Sequence, residues 1–429
     1  MKLKYLSLAA CLIVAGLATS STINAQGAGT IKIGILHSLS GTMAISETTL
    51  KDTILMMIDE QNKKGGLLGR KLEAVVVDPA SDWPLFAEKA RELLEKDKVA
   101  VVFGCWTSVS RKSVLPVFEK NNGLLFYPVQ YEGEESSKNV IYTGAAPNQQ
   151  AIPAVDYLMK DLAVKRWVLE GTDYVYPRTT NKILEAYLKS KGVVDADISI
   201  NYTPFGHSDW QTRVAAIKRF GSTGKKTAVV STINGDANVP FYKELGNQKI
   251  SAEDIPVVAF SVGEEELSGL DTKPLVGHLA AWNYFQSVKT PANDAFIKQW
   301  KTFIKKPTRT TNDPMEAHYI GFNLWAKAVE KAKSTDVEKV LAALPGLETP
   351  NLTGGIAKML PNHHITKPVY IGEVRADGQF DVVFKTPTVP GDAWSDFLPV
   401  SKDTEADWVT LKCGNYNKTT KKCSGQNYK

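Results

Sequence analysis

Histidine and cysteine are scarce in this chain, six and four among 429 residues. The spacings that would make them chemical are missing too. There is no H-E-x-x-H and no paired C-x-x-C, so zinc held in those frames is not expected. The first apolar run leads into GILHSLSG (34–41), which is not the G-x-G-x-x-G of a dinucleotide fold. No G-x-x-x-x-G-K-[ST] phosphate cradle occurs either. The sequence therefore implies no cofactor and no metal. His363 and His364 are adjacent, so they point apart, and no carboxylate cluster accompanies them. An exposed loop pair is the better reading than a metal pair. Net charge is only +5, with no Lys/Arg stripe interleaved with aromatics, so no nucleic-acid partner is expected. Past residue 25 no stretch reaches the ~18 apolar residues of a membrane span.

What is present begins with a leader. MKLK is basic, YLSLAACLIVAGLA is apolar but too short to span a bilayer, and STINAQG offers Ala25 for cleavage. Residues 1–25 read as a cleaved secretory signal, which predicts a periplasmic protein. Its removal takes away Lys2 and Lys4 and two units of positive charge. Leu8-Ala9-Ala10-Cys11 also fits a lipoprotein box. Cys11 lies in the middle of the apolar run rather than at its end, which favours cleavage over a lipid anchor. An exported chain meets an oxidising compartment, so Cys413 and Cys423, in a polar tail, are expected to form a disulfide, with two free thiols as the alternative. Cys105 is left over. It packs as a small buried hydrophobe or serves as the nucleophile of an amide hydrolase, and packing is preferred.

The composition, 43% apolar and 23% charged, is that of an ordinary globular chain. Its length suits two or three domains. Strands are expected at 31–36, 72–77, 99–103 and 124–127, alternating with helices at 49–62, 83–96 and 110–120. A second such unit follows. It has helices at 151–162, 180–191, 210–220 and 240–245, and strands at 166–170, 198–203, 228–231, 257–261 and 279–284. Helices at 294–303 and 315–332 come next, then an antiparallel strand pair at 368–375 and 378–384. The fold class is α/β, with two doubly wound parallel-sheet lobes.

In such sheets ligands bind beyond the carboxyl ends of the strands. Here those ends carry HSLSG (37–41), CWTS (105–108), PVQYE (128–132), GTDYVYP (171–177) and TINGD (232–236). The set is rich in Tyr, Trp, hydroxyls and amides and poor in Lys and Arg. It suits a small, polar, uncharged or weakly charged molecule. Aromatics at strand ends also cap cores without touching any ligand, but five ends of one character favour a site.

Five segments in order carry a family resemblance: GILHSLSGTMA (34–44), VFGCWTS (102–108) with SRK (110–112), LFYPVQYEG (125–133), TGAAPNQ (143–149) and GTDYVYPR (171–178). With them, residues from about 30 to 400 resemble the type I periplasmic binding proteins of the branched-chain amino acid class of ABC importers. Within that class the likeness is to the urea-binding and short-chain amide-binding branch. The resemblance implies a non-enzymatic receptor for nitrogen uptake whose partners are an ABC permease and ATPase. It also implies two lobes joined by a three-crossing hinge that close on the ligand. Mapped here, lobe one takes 30–147 plus 282–345, and lobe two takes 148–281 plus 346–429 with a β-rich C-terminal appendix.

Residue by residue, Trp106, Thr107 and Ser108 match the family's first-lobe ligand turn, and Tyr127, Val129 and Gln130 the second-strand turn. Tyr174 and Tyr176 match the second-lobe aromatic pair. Trp106 and Val129 crowd their turns, which leaves less room for an amino acid side chain. Urea is planar, with four N–H donors and one carbonyl acceptor, and needs several acceptors, a donor and flat walls. Ser108 would donate to its oxygen, while Gln130, Asn234 and Asp236 would accept from its amides. Trp106, Tyr174 and Tyr284 would close over its faces, and Glu264 is a further acidic candidate. Short-chain amides and branched-chain amino acids are the alternative ligands; a Cys105-dependent amidase is the less favoured alternative function.

Overall fold

The structure, a computed structural model, describes residues 29–398 and the backbone of three further strands, Thr404–Glu405, Cys413–Asn417 and Lys422–Asn427. The expected leader, Cys11 and the side chains of Cys413 and Cys423 lie outside the described residues.

Short runs of Val, Ile, Leu and Phe buried on both faces belong between two helix layers. In the first lobe they are β1 (Ile31–Leu36), β3 (Val101–Gly104), β4 (Leu125–Tyr127) and β5 (Val140–Tyr142), with β2 (Leu72–Val77), whose Glu73 and Val76 are exposed, at the sheet edge. Every residue of β3, β4 and β5 is buried. The five strands are parallel, in the order β2-β1-β3-β4-β5. At three residues β5 is too short to show a pattern in the sequence. The connecting helices are α1 (Ala44–Lys63), α2 (Trp83–Arg91) and α3 (Ser108–Asn121). Asp82 starts α2 by accepting from Leu85 N at 2.8 Å, which satisfies one of the free amides of the first turn.

The second sheet has seven strands. Five are parallel neighbours in the order β10-β9-β8-β6-β7: β6 (Arg166–Thr172), β7 (Ile198–Thr203), β8 (Thr227–Thr232), β9 (Val257–Ala259) and β10 (Leu279–Trp282). Its helices are α4 (Ala151–Lys160), α5 (Val175–Ser190), α6 (Gln211–Gly221), α7 (Asn238–Asn247) and the short α8 (Glu264–Leu267). The expected antiparallel pair forms from Tyr370–Val374 and Phe380–Lys385. It continues this sheet next to β10 instead of standing apart.

After β10 the chain returns to the first sheet as α9 (Pro291–Ile304) and α10 (Asp313–Ala332), capped by Thr290 and Asn312. Phe296, Trp300, Met315, Phe322 and Trp325 enter the first core, as do Leu347, Leu352, Ala357, Met359 and Ile365. The chain passes between the two cores three times: between Ala146 and Ala151, between Trp282 and Phe296, and between Ile365 and Tyr370. One side chain joins all three crossings. Asn283 Nδ2 donates to Gln149 O at 2.9 Å and to Pro368 O at 2.7 Å.

The histidine pair departs from expectation. His364 is fully buried, not exposed. Its ring stacks on Tyr142 with centroids 4.8 Å apart, and its Nε2 lies 2.6 Å from Tyr131 OH. Burial pushes its pKa down to about 4, so it packs as a neutral aromatic ring. Among the described residues no group of His, Cys, Asp and Glu is placed to hold a metal, and no helix is long and apolar enough to cross a membrane.

Candidate ligand-binding cleft

The first wall is built where β3 ends. Cys105 follows it with φ of +65°, a conformation uncommon for a residue with a side chain, and its N–H donates to Leu36 O at 2.8 Å. The thiol is buried, and burial pushes it well above the ordinary range. That disfavours the thiolate a nucleophile needs and fits the packing role. Thr107 then caps α3, its hydroxyl accepting from Ser110 N at 3.1 Å.

Ser108, in the first turn of α3, donates its hydroxyl to Glu132 Oε2. Arg111, one helical turn on, donates to Ser108 Oγ at 3.1 Å. It also pairs with Glu132 at 3.2 Å and Glu135 at 2.7 Å, while Lys112 pairs with Glu135 at 2.8 Å. The Arg111 guanidinium lies 4.7 Å from the ring centres of both Tyr127 and Tyr131. Burial raises the Glu135 carboxyl, but Arg111 and Lys112 outweigh it and hold it well below the usual range. Burial likewise opposes the charge on Arg111, and Glu135 and Glu132 more than restore it. Two cations and two carboxylates thus neutralise one another inside the wall.

The second turn of this wall follows β4. Tyr127 OH donates to Trp106 O and so ties the two turns together. Gly144 backs the turn so closely that a β-carbon there would lie 2.0 Å from Val129 O. Gln130 reaches over to the other lobe, its Nε2 donating to Ser261 Oγ at 2.6 Å just after β9.

The facing wall is the start of α5. That helix begins at Val175, five residues before the expected start, so Tyr174 is its N-cap and Tyr176 lies in its first turn. Tyr174, Val175 and Tyr176 pack with Val109 of α3. Phe205 bridges Trp83 and Tyr174, at 5.3 and 4.8 Å between ring centres. Trp83 and Val109 belong to the first lobe and the rest to the second, so the lobes are closed. Burial raises the Tyr176 phenol, with Gln130 and Ser261 beside it. Burial also raises that of Tyr174, with Tyr127 and Tyr176 nearest. Three buried polar atoms in these turns have no hydrogen-bond partner among the described residues: Trp106 Nε1, Gln130 Oε1 and Tyr176 OH.

The structure thus gathers Trp106, Thr107, Ser108, Tyr127, Val129, Gln130, Tyr174 and Tyr176 at one cleft. Four other expected residues lie outside these turns. Asn234 bonds within its own lobe, taking Thr172 Oγ1 at 3.0 Å through its N–H and Thr232 O at 3.0 Å through its amide. Asp236 is exposed, and its N–H donates to Thr42 O at 3.1 Å. Tyr284 OH is shared between Asn293 Oδ1 and Thr311 Oγ1, both at 2.7 Å. Glu264 accepts from Gln286 N at 2.7 Å through one oxygen, its other oxygen is buried without a hydrogen-bond partner among the described residues, and burial pushes its pKa up to about 8. The sequence reading missed Arg111, Glu132, Glu135 and Ser261 as site residues. YEGEE (131–135), an acidic run straight after a buried strand, was the available signal, since carboxylates there need a cation within reach.

Two α/β lobes, three crossings and a closed cleft of aromatic and polar groups at the strand ends define a hinged ligand-binding protein. The periplasmic binding protein domain family matches residues 31–400, and the chain belongs to that family. It is similar to a Leu/Ile/Val-binding protein of Rhizobium johnstonii, 26% identical over 353 residues, 80% of this chain and 90% of that one. A solute-binding protein of an ABC transporter from R. palustris, solved with 4-hydroxybenzoate, shares the fold with a TM-score of 0.73 and 21% identity, over 86% of this chain and 99% of that one. A stretch of 117 residues is 32% identical to a limonene hydroxylase of Geobacillus stearothermophilus, but spans only 27% of this chain and 21% of that one.

Proposed function

We propose that this protein is a periplasmic receptor that captures urea, or an amide of similar size, between its lobes and delivers it to the permease and ATPase of an ABC importer. The leader and the family support export, and the solved relative supports the importer. Lobe one takes residues 30–147 plus 282–345 and lobe two 148–281 plus 346–429; the packing of Leu352, Ala357, Met359 and Ile365 on the first core supports assigning that segment to lobe one instead.

The neutrality of the cleft carries the ligand class. Arg111 and Lys112 are spent on Glu132 and Glu135. The unpartnered atoms at Trp106, Gln130 and Tyr176 are uncharged donors and acceptors. An α-amino acid brings a carboxylate and an ammonium, each of which needs a counter-charge once buried. Urea brings N–H groups for the Gln130 carbonyl and the Tyr176 oxygen, and a carbonyl for the Trp106 indole. Each such atom left unmet costs roughly 1–3 kcal/mol. A branched-chain amino acid is the second reading, favoured by the ligands in the name of the Rhizobium relative.

The test is calorimetry on the mature protein with urea, formamide, acetamide and leucine. Heat of binding with urea or a short amide supports the proposal; binding of leucine with none for urea overturns it.

A further inference from the structure

Ser108 sits between a carboxylate and a guanidinium. Its hydroxyl donates to Glu132 Oε2, and Arg111 Nη1 donates to its oxygen at 3.1 Å. Neither contact can run the other way. A carboxylate only accepts, and a guanidinium only donates. Arg111 Nη2, 3.2 Å from Glu132 Oε1, is the cation that this carboxylate pairs with. A hydroxyl has one hydrogen and two lone pairs. The hydrogen is spent on Glu132 and one lone pair on Arg111, so one lone pair remains. Tyr127, beside Ser108, does not take it, because its own hydrogen goes to Trp106 O. The expected donation from Ser108 to a ligand oxygen is therefore closed, and what Ser108 can offer is an acceptor. Glu132 and Arg111 also act on the phenol of Tyr174 in the facing wall, so these contacts stand at the cleft.

We propose that Glu132 sets the polarity of Ser108 and thereby the specificity of the cleft: Ser108, its hydrogen held by Glu132, accepts an N–H of the ligand, and a carboxylate in that place is refused. Glu132 is a positioning residue that acts through Ser108. The inference rests on the small-amide reading and adds to it how an amide is told from the acid of the same shape. Acetamide and acetate differ in one group, an NH2 against an oxygen that shares a negative charge. Acetamide gives the Ser108 lone pair a hydrogen. Acetate sets an oxygen against an oxygen, which leaves both unmet, and places a negative charge beside the Glu132 carboxylate.

The experiment is calorimetry with urea, acetamide and acetate on wild type and Glu132→Gln. The variant keeps the shape of the side chain. Arg111 only donates, so it takes the new amide oxygen. The new NH2 then turns to Ser108, fills its second lone pair and frees its hydrogen for the ligand. Wild type is expected to bind the amides and not acetate. The variant is expected to bind them about tenfold or more weakly and to gain acetate. Circular dichroism and a cooperative melt establish folding. A folded variant with unaltered preference overturns the inference, as does one that loses amide affinity without gaining acetate, since lost packing alone does that. Should Glu132→Gln not fold, Ser108→Ala serves. It removes the acceptor and leaves Glu132, so amide affinity should fall about tenfold with acetate still unbound; undiminished amide affinity or bound acetate overturns the inference. Wild type that binds acetate as tightly as an amide overturns it too. Each of these failures leaves the amide reading standing. Wild type that binds neither amide overturns that reading, and this inference with it.

Discussion

Gln130 and Ser261 stand on opposite lobes and meet at 2.6 Å, the amide of one donating to the hydroxyl of the other. Gln130 also keeps its carbonyl oxygen without a partner among the described residues. One side chain therefore does two things: it fastens the closed state and offers an acceptor within it. Ser261→Ala should loosen closure only, whereas Gln130→Ala should remove the acceptor as well. Calorimetry should find Gln130→Ala the weaker binder, by about tenfold or more against wild type, or ~1.4 kcal/mol. Equal affinities for the two variants would show that the Gln130 carbonyl does not touch the ligand.

Ser108 holds Glu132 in the first wall and Tyr174 closes the second. Ser108→Ala and Tyr174→Ala should each weaken urea binding about tenfold or more. Wild-type affinity in both would move the pocket elsewhere.

Arg111 balances Glu132 and Glu135 where no water reaches them. Arg111→Met keeps most of the volume and strands the carboxylates. Breaking a buried pair from one side costs roughly 3–5 kcal/mol. Guanidinium unfolding should show a loss of that order. A loss below about 1 kcal/mol would mean that the cluster relaxes into solvent when Arg111 goes, a cost typical of an exposed pair.

Burial pushes Glu264 up to about 8 and Glu316 up to about 7. Both ionise near 4.5 when unfolded. Between those values the folded chain holds protons the unfolded chain has lost. Their contribution is thus full below pH 4.5 and disappears as pH rises to the folded values. His278 and His364, pushed down to about 4 by burial, act in the opposite sense and lose stability as pH falls below 6.5. Of these four, only the glutamates still titrate above pH 6.5. Unfolding free energy should fall between pH 6.5 and 8, by at most about 1.4 kcal/mol per unit for each group. Glu264→Gln should flatten that slope. A stability that rises across this range would refute the assignment.

Asn283 ties the first and third crossings through one amide. Asn283→Ala leaves both carbonyls without that donor and should cost roughly 1–3 kcal/mol, read again by guanidinium unfolding. A variant as stable as wild type would show that the crossings hold together without it.

Much of the fold is legible in the sequence. Strands β1, β2 and β7 have the bounds expected of them, because β-branched and apolar residues in a short run are a local signal. The start of α5 was not, since Tyr174 lacks the side-chain oxygen geometry of an ordinary cap and the helix is held there by packing on Val109 and Phe205. His364 was misplaced for a similar reason. Its burial depends on Tyr131 and Tyr142, which are more than two hundred residues away.

By itself the sequence determined the α/β alternation and the polar and aromatic strand ends, which are local properties fixed by hydrophobic period and residue type. Its resemblance to the family rests on the five matching segments. Only the tertiary structure decided that Arg111 neutralises Glu132 and Glu135, that Tyr284 shares its hydroxyl with Asn293 and Thr311, and that Gln130 meets Ser261. Pairing of charges and hydrogen bonds depends on which distant segments the fold sets side by side. No short window of sequence contains both partners.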